Sequence, residues 1–201
     1  MLLGIVGLIG SGKDTVAERL VTHHGYKRDS FAKSLKDAVS SMFNWDRKML
    51  EGDTKVSRAW REQPDEFWSK KFGKEVTPRW VLQYFGTEVM RQNMYDAIWI
   101  DSVNNRFKGV NTVISDTRFM NDIKTIRENN GVIILVKRGE LPSQEWMASN
   151  GRHKSEWDWL DSSFDYVIDN NGTLEDLYKK VDDLIIRFEV ADTPTKTFST
   201  T

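Results

Sequence analysis

Cysteine is absent from the 201 residues, so disulfides, zinc–thiolate sites and thiol nucleophiles are excluded, and a reducing compartment suits the chain. Histidine is scarce. Of the three, His23 and His24 are adjacent, so a helix would turn them ~100° apart and they cannot share a metal. His153 has no spaced His, Cys or carboxylate set around it. Net charge is nearly absent too: 29 Lys+Arg against 30 Asp+Glu leaves −1, which gives no general reason to expect nucleic acid or an anionic membrane as partner. No apolar run approaches the ~20 residues of a spanning helix, and no signal peptide is expected before the first apolar segment. There is no internal repeat and no signature of a nucleic-acid-binding module. Ser11 sits in a glycine-rich turn but lacks His and Asp partners for nucleophilic catalysis.

What is present describes an ordinary globular chain, 39% hydrophobic and 29% charged, long enough for a substantial core. Residues 1–190 are expected to form a single domain, and 191–201, Thr-rich and without apolar periodicity, a flexible tail. Eight tryptophans are a high count. Trp45, Trp60, Trp68 and Trp80 fall in the middle third, where they could stack on bases or simply pack.

Near the start, the apolar run Leu2–Val6 is followed by Gly7-Leu8-Ile9-Gly10-Ser11-Gly12-Lys13-Asp14-Thr15 and then by an amphipathic helix pattern (Val16, Ala17, Leu20, Val21, His24) that Gly25 would cap. Strand, glycine-rich turn, Gly-Lys and helix start together make a phosphate-binding loop. Glycines let successive backbone N–H groups converge on one anion, the helix N-terminus adds its partial positive charge, and Lys13 reaches the outer phosphates. The residue after Lys13 is Asp14, where Ser or Thr is usual, and Thr15 comes one place late.

Further along, Tyr26–Ser30 reads as a short second strand. A helix follows from Phe31-Ala32, with Phe31, Leu35, Ala38, Val39 and Met42 on one face. Lys33 and Lys36 at its start run against the macrodipole preference, so they either are solvated or face a local anion. Residues 44–73 read as helical pieces and loops. Thr77-Pro78 is an N-cap with Pro at the first helical position. The helix it opens has Val81, Leu82, Phe85, Val89 and Met90 as its stripe, and Gln83, Thr87, Glu88 and Arg91 opposite. Gly86 in its middle costs ~1 kcal/mol against Ala, explained by a ligand's close approach or by tight helix packing. Residues 31–108 are therefore expected to be a mostly helical insertion.

Val110–Ser115 is a strand candidate ending in Asp116, and an acidic residue there can hold Mg²⁺ or its water opposite a phosphate loop. A helix with Phe119, Met120, Ile123 and Ile126 on its apolar face follows, then a fourth strand at 132–136. The polar loop from Arg138 to Arg152 is ~15 residues long, and loops of that length in compact domains are usually lids, binding loops or disordered. Phe164–Ile168 makes a fifth strand. Thr173-x-x-Asp176 then opens a helix with Leu174, Leu177, Tyr178, Val181, Leu184, Ile185 and Phe188 at helical spacing. Strands alternating with helices predict a three-layer α/β domain with a five-stranded parallel sheet. Ligands in such sheets sit at the strands' carboxyl ends, so Gly7, Asp29-Ser30, Asp116, Arg138 and Asn170 are expected to border one crevice.

Several segments, taken in order, resemble the phage deoxynucleoside monophosphate kinases, a P-loop kinase family: the Gly-Lys-Asp-Thr loop, Phe31–Lys36, Gln83–Val89 with Arg91, Ile98-Trp99, Ser115–Phe119 with Asn121, and His153–Glu156. Asn170–Leu174 is similar to the adenine-holding turn of P-loop kinases generally. The resemblance spans residues ~2–188. It implies ATP γ-phosphoryl transfer to a deoxynucleoside 5′-monophosphate, with Mg²⁺, in the cytoplasm (of the host, if the chain is a phage's). On the ATP side it implies Gly10, Ser11, Gly12, Lys13, Asp14, Thr15, Asn170 and Gly172. On the acceptor side it implies Lys33, Arg58, Gln83, Gly86, Thr87, Arg91, Trp99 and Arg118. Lys13, with Arg138 or Arg152 in a lid at 138–156, would neutralise the transferring group. The metal would be held, through water, by Asp116 or by Asp14, the latter otherwise favoured near a helix start. Implied partners are ATP and deoxynucleoside monophosphates, with no membrane and no stable nucleic acid; oligomeric state stays open, a homodimer included. A P-loop kinase for another small acceptor, such as dephospho-coenzyme A, and a nucleotide-dependent switch are the competing readings.

Overall fold

In the computed structural model, which describes residues 1–152 and 154–191, strand β1 (Leu2–Val6) is buried at every position. That is the pattern of a parallel strand covered on both faces. Helix α1 (Lys13–His24) follows the glycine-rich turn and ends at Gly25, whose left-handed backbone lets its N–H reach the Leu20 carbonyl. Strand β2 (Lys27–Asp29) is short and polar.

The chain divides into two compact units, residues 30–108 and the remainder. In the 30–108 unit, α2 (Lys33–Phe43), α3 (Lys55–Arg61), α4 (Glu66–Phe72) and α5 (Pro78–Gln83) are followed by a π-helical segment (Tyr84–Gln92) and α6 (Ile98–Arg106). Its core is Leu35, Val39, Trp45, Leu50, Val76 and Val81, ringed by half-buried aromatics. Thr77 caps α5 as expected, accepting from the Trp80 N–H with Pro78 in the first turn. The expected helix carrying Val81 to Arg91 is not α-helical throughout: from Tyr84 the backbone widens to π geometry. Met42, placed on the apolar face of α2, is 57% exposed; Leu35 and Val39 carry that face. The tryptophans of this unit are largely packing groups. Trp45 is buried with its indole N–H on Asp65, and the Trp68 N–H is held by the Phe43 carbonyl.

In the other unit, β3 (Thr112–Ile114), α7 (Met120–Glu128), β4 (Val132–Lys137), α8 (Gln144–Ser149), a single 3₁₀ turn (Lys154–Glu156), β5 (Tyr166–Asp169) and α9 (Leu174–Ala191) complete the fold. The five strands are all parallel, as the alternating pattern predicts, and lie in the order β2-β3-β1-β4-β5. Leu3, Ile5, Val113, Ile134, Val136 and Ile168 pack against Val16, Ala17 and Leu20 of α1 and Leu177, Val181, Leu184, Ile185 and Phe188 of α9. Helix α7, with Ile123 and Ile126 buried, covers β1 and β4. Arg19 makes a two-bonded contact to Asp182 (3.0 and 2.7 Å) and His24 Nε2 reaches the same carboxylate at 2.7 Å, tying α1 to α9. Met120 and Leu174, expected on apolar faces, are exposed at helix starts. The loop after β4 is not featureless: it holds α8, capped by Ser143 and anchored by buried Met147. The tail expected at 191–201 lies, beyond Ala191, outside the described residues, as does His153. Among the described residues no helix is long and apolar enough to cross a membrane.

Candidate functional site

The glycine-rich turn leaves the end of β1, the strand flanked by β3 and β4, and enters α1. This is where chain direction across the sheet reverses, the usual place for a ligand in an open α/β sheet. Gly12 carries the helix start in a left-handed conformation (φ 101°), and its carbonyl accepts the first helical bond from the Val16 N–H at 3.0 Å. Glycine is required there for a second reason. A Cβ on Gly12 would lie 2.4 Å from Nδ2 of Asn170. Asn170 follows β5, is 4% exposed, and donates from Nδ2 to the Ser11 carbonyl at 2.8 Å. Expected in an adenine-holding turn, it ties that turn to the phosphate loop through its side-chain amide. Ser11 is itself buried, and its Oγ has no hydrogen-bond partner among the described residues. A buried hydroxyl left unpaired next to a helix N-terminus fits a loop made for a ligand.

Lys13 is half-buried, and burial pushes its ammonium below the ordinary lysine value. The Asp14 carboxylate works against that shift, the Arg118 guanidinium adds to it, and Asp116 opposes it. Lys13, Asp14, Asp116 and Arg118 thus form one electrostatic group. An arriving anion would be paired by a cation that burial has left short of solvation. Arg118, expected with the acceptor residues, also acts electrostatically on Lys13.

Asp14 is 64% exposed at its side chain and does not cap α1. Its Oδ1 accepts from Arg28 Nη2 at 2.8 Å and from Ser115 Oγ at 3.2 Å, and Arg28 Nη2 also donates to Ser115 Oγ at 3.0 Å. Arg28 went unnoticed in the sequence, where a polar three-residue strand offers only the hint that it ends beside the crevice. Thr15 is half-buried in the first turn of α1, and Gly10 has a left-handed backbone (φ 82°) in the turn itself. Among the described residues no group of three or more His, Cys, Asp or Glu could hold a metal alone. The two carboxylates beside Lys13 fit an ion held mainly by phosphate oxygens and water, the way Mg²⁺ is usually bound with nucleotides.

Arg138 and Arg152 are both exposed. Arg138 Nε donates to the Asn170 carbonyl at 3.1 Å, and the neighbouring Gly139 N–H donates to Asn171 Oδ1 at 2.8 Å, so the first turn of the loop leaving β4 is tied to the turn after β5. Arg152 is held by its backbone, its N–H on the Met147 carbonyl and its own carbonyl accepting from the Trp157 indole. Gly172 lies beside Asp176, which with Thr173 forms a reciprocal cap at the start of α9.

The residues implied for the acceptor, Arg118 apart, lie in the 30–108 unit. Gly86 is buried, and a Cβ there would meet Leu35 Cδ2 at 2.7 Å, while its carbonyl accepts from the Trp99 indole at 2.9 Å. Close packing against Leu35 is thus one reason for this glycine. Thr87 is half-buried in the same π-helical segment, and Glu88 Oε2 is buried with no hydrogen-bond partner among the described residues. Arg91 is 14% exposed at its side chain and reaches Asp96 at 3.2 Å. Gln83 and Arg58 are exposed, and Arg58 donates to the Gly52 and Asp53 carbonyls. Lys33 pairs with Asp37 at 2.9 Å and Lys36 with Glu51 at 2.6 Å, so carboxylates meet both lysines at the start of α2.

Against known proteins, the family model for deoxynucleotide monophosphate kinase matches residues 52–181. A protein of Acanthamoeba polyphaga mimivirus, whose name gives the same activity provisionally, is 31% identical over 196 residues, spanning 90% of this chain and 94% of that protein. Solved structures are more remote. Shikimate kinase from Aquifex aeolicus is 11% identical with a TM-score of 0.48, over 96% of this chain and 100% of that one. Dephospho-CoA kinase from Campylobacter jejuni is 16% identical with a TM-score of 0.45, over 96% and 98%.

Proposed function

The chain belongs to the deoxynucleotide monophosphate kinase family, and from that premise we propose that it transfers the γ-phosphoryl group of ATP to a deoxynucleoside 5′-monophosphate. A phosphate oxygen of the acceptor forms a bond to the γ-phosphorus. The bond from γ-phosphorus to the β-bridging oxygen breaks, and its electron pair leaves with ADP. A phosphate monoester is already a nucleophile at neutral pH, so no dedicated general base is needed, and positioning and charge neutralisation carry the catalysis.

The observation that carries this reading is the phosphate loop itself: Lys13, half-buried and short of solvation, beside Asp116 and Arg118 at the end of the central strand. In the proposal the loop amides and Lys13 bind the β- and γ-phosphates, and Thr15 lies near the α-phosphate. Arg138 or Arg152 offsets the charge that spreads over the transferring group. Asp116, with Asp14, would hold hydrated Mg²⁺, which when bound supplies charge neutralisation at the β- and γ-phosphates. Arg91 holds the monophosphate, supported by a guanidinium that the fold keeps largely covered, its side chain 14% exposed. Gln83, Thr87 and Trp99 shape the rest of the acceptor pocket. A base-bearing acceptor is favoured over a sugar or metabolite by this Gln- and aromatic-containing block. The reaction is placed in the cytoplasm, where both nucleotides are available.

A coupled ADP-release assay over dAMP, dCMP, dGMP, dTMP and CMP tests it, with at least one deoxynucleotide expected to turn over. Normal ATP binding with no transfer to any of them would overturn the proposal.

A further inference from the structure

A carboxylate placed directly after the phosphate-loop lysine opposes the loop's task, because Asp14 brings negative charge next to the site where a polyanion is to bind. The fold answers that charge with a cation from another element. Arg28 lies on β2, and the parallel register that sets Arg28 against Val113 and Asp29 against Ile114 carries it beside the end of β3, where Ser115 follows. An arginine on a three-residue edge strand is ordinarily left to solvent. Here one Nη2 serves both Asp14 Oδ1 and Ser115 Oγ, and Ser115 Oγ reaches the same Oδ1, closing a triangle across three segments of the chain. Arg28 Nη1 also lies 3.8 Å from Glu18 Oε2, the next carboxylate along α1.

We propose that Arg28 is a positioning residue for the nucleotide: it fixes Asp14 against Ser115 and offsets its charge, so that the phosphate loop can carry a carboxylate after Lys13 and still bind a polyphosphate. The inference rests on the reading that this loop takes ATP. It separates Arg28 from a mere staple between β2 and α1. A staple fails whichever partner is lost, whereas a charge-offsetting arginine becomes dispensable once the charge it offsets is removed. With side chains 39% and 64% exposed, the pair works in a screened environment, so the effect is a few-fold and not orders of magnitude.

The test is ATP binding to the full chain by calorimetry, with EDTA and separately with excess Mg²⁺, for wild type, Arg28→Ala, Arg28→Lys, Asp14→Asn and the Arg28→Ala/Asp14→Asn double variant. Arg28→Ala should weaken metal-free ATP about three- to fivefold, and MgATP less, because the bound cation already screens the phosphates. Near 1 M salt, where the Debye length is about 3 Å, the difference should shrink. Arg28→Lys should keep most of the affinity. The double variant should return to within about twofold of wild type, the margin expected once the charge pair is gone. Asp14→Asn alone should bind metal-free ATP at least as tightly as wild type, a readout that does not depend on how the Arg28 variants fold. Unchanged binding in Arg28→Ala, a double variant no better than the single one, or weaker metal-free binding in Asp14→Asn overturns the inference. A wild-type chain that binds no ATP overturns it together with the proposed function; normal wild-type binding with any of those results overturns it alone.

Discussion

Asn170 Nδ2 holds the Ser11 carbonyl of the phosphate loop, and replacing it should weaken ATP binding while leaving acceptor binding nearly unchanged. Its backbone contacts survive truncation, since its N–H donates to the Lys137 carbonyl at 2.7 Å and its carbonyl accepts from Arg138 at 3.1 Å. Among the described residues, the side-chain hydrogen bond lost in Asn170→Ala is the 2.8 Å bond from Nδ2 to the Ser11 carbonyl. Leaving a buried carbonyl without its donor costs about 1–3 kcal/mol. In a chain of this size that corresponds to a fall in Tm of about 5 °C. If about 1.4 kcal/mol of it falls on the loop's phosphate-binding geometry, the KM for ATP rises about tenfold. The KM for the deoxynucleotide should stay within about twofold, because an interaction confined to the ATP loop changes only ATP binding. Asn170→Asp is the sharper variant: it keeps the shape but sets a carboxylate oxygen against a carbonyl, so it should be worse than alanine on both counts. Thermal unfolding and two-substrate kinetics read both effects. A stability loss with no change in the ATP KM would make Asn170 a fold residue only, and an aspartate as mild as alanine would refute the donor role.

Burial lowers the Lys13 proton affinity, and ATP needs the charged form, so ATP affinity should fall as pH rises into the alkaline range, with proton uptake on binding there. Lys13→Arg should flatten that dependence, and the same steep profile in the arginine variant would place the titration elsewhere. Because the folded Lys13 pKa lies below its unfolded value, the ligand-free chain binds fewer protons than the unfolded one between the two, and this group makes stability rise with pH across that window. Asp182, held down to about 2 mainly by the Arg19 hydrogen bonds, acts in the opposite range. Its contribution is complete above its unfolded value of 3.8 and is lost as pH falls through about 2. The gap sets a ceiling of about 2 kcal/mol, which a side chain 31% exposed reduces to about 1. Asp182→Asn should cost that much at pH 7 in urea unfolding and progressively less as pH falls through about 2, and an equal loss at both ends would deny the ionic origin. Arg91→Ala should raise the deoxynucleotide KM at least tenfold and the ATP KM little, as expected for a lost charge-assisted phosphate contact, and equal rises would remove Arg91 from the monophosphate site.

The sheet was legible mainly because β1, β3 and β4 are apolar runs, the polar β2 apart, and the loop because Gly-Lys sits between a strand and a helix. Other features left no local trace. The widening to π geometry at Tyr84 is hidden, since the stripe Val81, Leu82, Phe85, Val89 and Met90 fits ordinary helical spacing. Helix α8 is six residues long with only Met147 buried, too short for a periodicity to show. The bond from Asn170 to Ser11 joins residues far apart in sequence, and the pairing of Arg28 with Asp14 and Ser115 exists only once β2 has docked beside β3. Asp14 looked like a defect in the motif because its partner lies on another element.

The central claim, direct γ-phosphoryl transfer from ATP to a deoxynucleoside monophosphate, is tested most directly by one single-turnover experiment with γ-labelled ATP and each deoxynucleotide. The label should move into the deoxynucleoside diphosphate as fast as ADP forms, without a lag and without appearing on the protein. Label released only as inorganic phosphate, or held on the chain before transfer, would contradict the account.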